Sequence, residues 1–525
     1  GCPGLSGGSF PRVDGAVLVP FGVRSLPDWL QGWLQRSRMI AEPHPFLIIP
    51  YLSCYSTMLL TSTVVIYYRL FLIIREGYSM YRLKSPLSAQ LEITNACNNT
   101  CKHCYNYWRY LQTGLRLSSD LHEKSFDHFR ILLDILIVNE VRTVSFTGGE
   151  PFLRRDVLFD LIEIAKNGGM KTVVNTNGSL ITNDDIFHLK DVGVDFLLVS
   201  LLCDKPSIHN RMANSDTHSF TSAAIARLAK SGLSLSINMV VTSYNWNRVR
   251  QTAIYTKDLG VKTFSATPVL PCPLAKEHSD LLLKPEQVKK VLDDLLWVKQ
   301  QGMNVDVLEP IVHCMFTQAE RTRFSQFLNN RSCAAGISDV AISSNGDVRP
   351  CILATKTYGN LITDGWQTVW KNLASWSAPN LLPEDCLNCT IVDDCGGGCR
   401  VAALSESGSI NGKDPYMTKP LSPSAYEPIK GALIKAKPSL DSILSFSHDV
   451  SVREEAFGSV VFNERNFVFL DVDGTRLIKH LISCPSFTIK SILDEFDIDE
   501  KGLTSFLVTL IGRRILNFSS AEGGE

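Results

Sequence analysis

At 525 residues the chain exceeds what one hydrophobic core usually fills, so two or three domains are expected. Hydrophobic residues make up 45% and charged residues 20%, which excludes a disordered chain and a multi-span membrane protein. With 52 Lys and Arg against 53 Asp and Glu the formal charge is −1, so no overall field favours nucleic acid and no such partner is expected.

The first eighty residues stand apart. No Asp, Glu, Lys or Arg occurs between Pro43 and Tyr68, and 46–74 is rich in Leu, Ile, Val and Tyr. That stretch is long enough to cross a bilayer. Arg69, Arg75, Arg82 and Lys84 follow the uncharged run, which would leave the downstream domains in the cytoplasm. Met80, just ahead of the first regular strand, is the alternative start of a soluble cytoplasmic enzyme to which 1–80 would be an extension. Membrane association is expected only through this extension.

From residue 87 strand-length apolar runs alternate with amphipathic helix-length stretches. Strands are expected at 87–94, 141–147, 172–175, 196–202, 235–242 and 263–268. Helices are expected at 119–139 (capped by Ser118 or Ser119), 156–167, 183–191, 220–230, 249–259 and 285–300. Repeated βα units of this kind bury a parallel sheet on both faces and close into a full or partial barrel, with chemistry at the strand ends. After Met303 the periodicity lapses, and Cys333 to about Met417 is turn-rich and cysteine-rich. Four prolines from Pro420 to Pro438 mark a linker. Beyond it, strands at 459–462 and 467–470 and helices at 474–482, 488–495 and 501–513 suggest a small α+β module.

Fifteen cysteines are the informative excess, and their short spacings favour metal ligation over disulfides. Directly after the first strand, Cys97-x3-Cys101-x2-Cys104 offers three thiolates to a 4Fe–4S cluster and leaves its fourth iron without a protein ligand. A zinc site completed by His103 is the other chemistry three cysteines allow. The remaining strand ends carry Gly148, Gly149 and Glu150, then Asn175 to Gly178, then Ser200. Downstream, Cys333, Cys351, Cys386, Cys389, Cys395 and Cys399 form a second field, for which a zinc ribbon is the alternative. Cys203, Cys272 and Cys484 read as structural thiols.

The segment Thr94-Asn95-Ala96-Cys97-Asn98-Asn99-Thr100-Cys101-Lys102-His103-Cys104-Tyr105 resembles the signature of the radical S-adenosylmethionine (SAM) superfamily. Thr147-Gly148-Gly149-Glu150-Pro151 resembles its Gly-Gly-Glu motif, and Asn175-Thr176-Asn177-Gly178 its third strand end. The resemblance implies a partial (β/α)6 radical SAM barrel in which Cys97, Cys101 and Cys104 hold the catalytic 4Fe–4S cluster. It also implies that SAM bound at the open iron is cleaved reductively to a 5′-deoxyadenosyl radical. Tyr105, Gly148, Gly149, Glu150, Asn177 and Ser200 would bind SAM, the glycines letting the backbone approach its methionine moiety. His209 and Arg211 are expected on a solvated loop.

The second field, with Gly346-Asp347-Val348-Arg349-Pro350-Cys351 and Cys395-Gly396-Gly397-Gly398-Cys399-Arg400, resembles the SPASM extension, which binds two auxiliary 4Fe–4S clusters. By that resemblance Cys333, Cys351 and Cys399 hold the first and Cys386, Cys389 and Cys395 the second. The family supplies one more Cys soon after an Asp-Pro pair, whereas this chain has Asp414-Pro415-Tyr416-Met417. The second cluster would then have an open or non-Cys corner, or be absent; Cys314 is a weak candidate to complete the first, with a plain core thiol as the alternative. The tail, from Arg453-Glu454-Glu455-Ala456-Phe457-Gly458 onward, resembles a PqqD-like peptide-recognition module, with a winged-helix packing module as the alternative. The expected organisation is thus extension 1–80, core 85–305, cysteine-rich auxiliary-cluster domain 306–420, linker 421–451 and winged-helix-like module 452–525. The function implied is maturation of a ribosomally made precursor peptide, with a flavodoxin or ferredoxin as electron donor. A tetrapyrrole or other small molecule, or a protein side chain, is the alternative substrate, and a non-catalytic iron–sulfur carrier the alternative class.

Overall fold

The computed structural model describes residues 82–106, 123–271, 276–328, 333–376, 381–418, 438–448, 450–463 and 467–519. The apolar stretch at 46–74 lies outside them. Among the described residues no helix is long and apolar enough to cross a membrane. The described chain falls into two compact units, 82–418 and 438–519.

In the larger unit the alternating pattern becomes a parallel sheet. Strands β1 (Ser88–Thr94), β2 (Thr143–Gly148), β3 (Lys171–Thr176), β4 (Phe196–Ser200), β5 (Leu235–Val241) and β6 (Thr263–Pro268) pair in sequence order. Three further strands were not expected. β7 (Asn304–Asp306) adds to β6, and β8 (Asp339–Ile342) pairs parallel with the other edge of β1. β9 (Val348–Arg349) returns antiparallel to β8. The order β7-β6-β5-β4-β3-β2-β1-β8-β9 has two ends among the described residues, so the sheet is an open α/β layer and not a closed barrel.

Helices α1 (Phe126–Val138), α2 (Arg155–Asn167), α3 (Asn183–Asp191), α4 (Pro206–Ala213), α5 (His218–Ser231), α6 (Val249–Asp258) and α7 (Pro285–Gln300) connect these strands. In α1, Phe129, Leu132, Leu133 and Leu136 recur at helical spacing and are fully buried, each contributing about 1.5–3 kcal/mol. The cap of α1 is not Ser118 or Ser119 but Ser125, whose hydroxyl accepts the His128 N–H at 3.4 Å. β4 stops at Ser200 and not at 202, because the Leu202 N–H turns away to His209 Nδ1 at 3.2 Å. Likewise β5 stops at Val241, where the Thr242 N–H meets Asn245 Oδ1 at 2.7 Å.

The cysteine-rich segment is not devoid of apolar packing. Ala335, Ala354, Trp376, Val401 and Ala402 bury against Val269, Leu270 and Leu281. Helix α8 (Arg400–Ser407) follows the last of its cysteines.

The smaller unit joins β10 (Ile443–Phe446) antiparallel to β14 (Leu516–Ser519), and builds a second sheet in the order β11 (Ser451–Glu455), β12 (Gly458–Phe462), β13 (Phe467–Leu470). Helices α9 (Val472–Leu481), α10 (Ile489–Glu495) and α11 (Glu500–Gly512) complete it. Its core gathers Leu444, Val461, Leu470, Ile478, Leu507 and Leu510. The expected boundary at 452 is therefore too late: β10 lies inside the supposed linker, drawn into the unit by pairing with its far end. Gly458 closes the β11–β12 hairpin with φ +143°, and a Cβ there would lie 2.3 Å from the Leu470 carbonyl oxygen.

Candidate active site

β1 hands directly to the Cys97–Cys104 loop, which is held from two sides. From the end of β2, Gly149 N–H donates to Thr94 O at 2.8 Å and Glu150 N–H to Ala96 O at 2.7 Å. From α4, the carbonyls of Met212 and Ala213 accept the N–H groups of Lys102 (3.0 Å) and Thr100 (3.2 Å). A helix leaves its last carbonyls unpaired, so the end of α4 offers ready acceptors to the loop. Asn214, left-handed at φ 49°, adds a side-chain bond to Thr100 Oγ1 at 2.8 Å.

The two glycines of the Gly-Gly-Glu motif serve this contact. A Cβ on Gly148 (φ +134°) would sit 2.2 Å from Thr94 O, and one on Gly149 1.8 Å from Ala96 O. What a Cβ on either glycine would meet is the cysteine-loop backbone. Glu150 is buried, and three donors converge on its carboxylate: Thr176 Oγ1 (2.6 Å), Asn177 N–H (2.8 Å) and Phe152 N–H (3.1 Å). Burial nonetheless holds its carboxyl above the usual range. Asn177 in turn donates to Asn98 Oδ1 at 2.8 Å and lies 3.9 Å from Cys97 Sγ. Glu150 thereby ties the β3 end to the cysteine loop.

Cys97, Cys101 and Cys104 act on one another electrostatically, and burial pushes the Cys97 thiol up to about 12 and Cys101 well above its ordinary value. Half-buried thiols set close together resist ionisation unless positive metal charge offsets them, which is what an iron–sulfur cluster supplies. Around them Asn99 Oδ1, His103 Nδ1 and Asn175 Oδ1 are buried polar atoms with no partner in the protein, at the place where a polar cofactor would bind. The residues present fit the cluster and SAM. His103 is pushed down to about 4 by burial. Among the described residues no three His, Cys, Asp or Glu side chains converge tightly enough for a single metal ion.

Tyr105 begins a helical turn directly after Cys104, and Ser200 ends β4 in register with Asn238, on the same strand-end side. His209 and Arg211 lie on a helix and not on a loop, and of the two only Arg211 is exposed. They belong to α4, where His209 is buried and held neutral, its pKa pushed down to about 3 by burial and neighbouring histidines, and Arg211 lies over the Tyr244 ring. The Lys205-Pro206 step, proline being favoured at a helix start, was the available signal for α4.

In the second field Cys333, Cys351 and Cys399 act on one another, and Glu309 acts on all three. Cys386, Cys389 and Cys395 line a separate cavity together with Cys314 and Met417. Cys314 therefore lies with the second set, not with the first as the sequence suggested. Arg400, buried, donates to the carbonyls of Leu381, Gly397, Ile410 and Gly412, and its charge favours the thiolates of both Cys333 and Cys386. Asp414, also buried, accepts the N–H groups of Cys399 (2.9 Å) and Tyr416 (3.0 Å) and so shapes the Asp-Pro turn. Cys203 is buried in the larger unit and Cys484 in the smaller; Cys272 lies outside the described residues.

The larger unit is an open, mainly parallel α/β sheet with a thiol triad at the end of its first strand, and residues 91–256 match the family model described as Radical SAM superfamily. Enzymes of that family bind SAM and a 4Fe–4S cluster. The chain is similar to the AdoMet-dependent heme synthase of Oleidesulfovibrio alaskensis, 24% identical over 341 residues, covering 62% of this chain and 86% of that protein. It is similar at 24% over 350 residues to the PqqA peptide cyclase of Ruegeria pomeroyi, covering 64% and 88%. Streptococcus suis SuiB, solved bound to precursor peptide SuiA, shares the fold with a TM-score of 0.52 at 18% identity, covering 74% of this chain and 86% of that one.

Proposed function

We propose that the protein is a radical SAM maturase of a ribosomally made precursor peptide. The observation that carries this reading is the coexistence in one chain of the Cys97–Cys101–Cys104 loop, a second cysteine field on the same sheet, and a separately cored α+β unit. Cys97, Cys101 and Cys104 would ligate the catalytic cluster, and the open iron would take SAM. When bound, the cluster and SAM together supply a radical able to abstract an unactivated hydrogen. The chain's own part is positional. Glu150 and Asn177 hold the β3 end against the loop, Tyr105 and Ser200 border the strand-end face, and α4 clamps the loop from the other side.

Cys333, Cys351 and Cys399 would hold one auxiliary cluster, and Cys386, Cys389 and Cys395 another, to bind substrate or accept an electron after hydrogen abstraction. A flavodoxin or ferredoxin in the cytoplasm would be the donor. The smaller unit resembles the PqqD-like module, and its short sheet suits addition of a leader peptide as a further strand. Two of the proteins named above act on or bind peptides according to their names, and this supports the choice.

A tetrapyrrole substrate is the second reading, favoured by the similarity to a heme synthase. Anaerobically reconstituted full-length protein, with reductant and SAM, separates the two. SAM cleavage is expected to be stimulated by a short peptide encoded beside this gene and not by an iron tetrapyrrole. Removing 438–525 is expected to abolish the stimulation. Tetrapyrrole-dependent cleavage that survives the truncation would replace the peptide reading with the second one.

A further inference from the structure

Four thiols, not three, surround the second auxiliary cavity. Cys314, Cys386, Cys389 and Cys395 line it with Met417 and Val312, around about 340 Å³ of empty space with its mouth included. Cys314 arrives from the connection after β7, far in sequence from the other three. Its neighbours are nonetheless fixed against them. The His313 N–H points at Cys395 Sγ at 3.4 Å. Gly398, at φ +81°, packs so closely on this segment that a Cβ there would meet Val312 Cγ1 at 2.4 Å. On the opposite side the Thr418 N–H donates to Cys314 Sγ at 3.4 Å, and Thr418 Oγ1 to Cys314 O at 2.5 Å. Cys314 is thus pinned between the Gly396–Gly398 turn and the Asp414–Thr418 turn.

We propose that Cys314 is the fourth thiolate ligand of the cluster held by Cys386, Cys389 and Cys395, taking the place that Met417 leaves unfilled. This rests on the reading of those three cysteines as an auxiliary iron–sulfur site. A methionine thioether is a weak, uncharged ligand, whereas a four-cysteine shell is the common ligation of a 4Fe–4S cluster. The cysteine after the Asp-Pro turn has in effect been exchanged for one on a different segment that faces the same cavity. Ligation removes the Cys314 proton, and the buried Arg400 guanidinium, which acts on Cys386, offsets part of the added negative charge. A closed thiolate shell leaves no iron for substrate. This cluster is therefore an electron relay, and a substrate-binding role falls to the set of Cys333, Cys351 and Cys399.

The test uses a full-length parent in which Cys97, Cys101, Cys104, Cys333, Cys351 and Cys399 are Ala, reconstituted anaerobically with iron and sulfide. The parent is expected to hold one four-iron cluster. Adding Cys314→Ala is expected to convert it to a three-iron species in the electron paramagnetic resonance spectrum and to shift its midpoint potential, and adding Met417→Cys to that variant is expected to restore both. A Cys314→Ala protein with unchanged iron, spectrum and potential overturns the ligand assignment and leaves the cluster reading intact. A folded parent without iron overturns the cluster reading itself. In the otherwise unaltered chain, where folding is not at issue, Cys314 is expected to resist alkylation when loaded and to react after chelation of iron. Equal labelling in both states, read by mass spectrometry, overturns the assignment.

Discussion

With Thr176, Asn177 and Phe152 all donating to it, Glu150 is a buried acceptor that an amide cannot replace without turning an N–H toward donors. Glu150→Gln is expected to weaken SAM binding about tenfold, or ~1.4 kcal/mol, at unchanged iron content, as read by anaerobic equilibrium binding. Gly149→Ala has a different signature. Its Cβ meets the Ala96 carbonyl, so the cysteine loop must move, and iron per chain is expected to fall together with SAM binding. His209 titrates at about 3 in the fold against about 6.5 when exposed. Between those values the unfolded chain binds a proton the folded chain does not, so this group's contribution is full above about pH 6.5 and is lost as pH falls toward 3. His209→Asn retains an acceptor for the Leu202 N–H and is expected to flatten the fall in thermal midpoint between about pH 6.5 and 5. The cysteine triad was legible because thiol spacing is local. So was the position of Glu150 after the second strand, but the partners of Glu150 and the cavity that Cys314 faces were not, because they are folded in from other strands and turns.

Between elements, the docking of the cysteine-rich segment on the sheet centres on Glu92 of β1 and Arg349 of β9, an ion pair at 2.7 Å whose side chains are 0% and 4% exposed. Removing one member takes a buried charge partner from the other, which costs up to about 3–5 kcal/mol, whereas removing both and filling the space costs far less. Arg349→Met is therefore expected to lower the urea midpoint sharply, and the double variant Glu92→Met with Arg349→Met to recover much of the loss. Equal destabilisation in the two would show that the pair contributes through packing alone. The six strands β1 to β6 and, α4 excepted, the helices between them announced themselves by period and length. β8 and β9 did not, since a four-residue and a two-residue strand carry too little alternation to register. The turn between them, closed by Gly346 at φ +91°, was visible only as part of a motif.

At the level of the whole molecule, each unit buries an apolar core of its own. Residues 438–525 expressed alone are expected to unfold cooperatively, with the helical circular dichroism of α9, α10 and α11. A gradual, non-sigmoidal melt would show that this core needs the rest of the chain. The boundary of this unit escaped sequence reading for a topological reason. Ile443 pairs with Ser519 and Phe446 with Leu516, and nothing local in either strand reveals so distant a partner.

β1 is hydrogen-bonded on both edges, to β2 through Ser88↔Thr143 and to β8 through Ser88↔Asp339 and Leu91↔Ile342. One ladder thus carries the Cys97–Cys104 loop at the end of its central rail and, two residues past β9, Cys351 of the neighbouring set. Strand registers move only in whole rungs of about 3.3 Å, and a single-rung slip inverts every side chain. If both sets of thiols hold clusters as proposed, the spacing between them would change only in such steps of backbone pairing, and lengthening surface loops would not retune it.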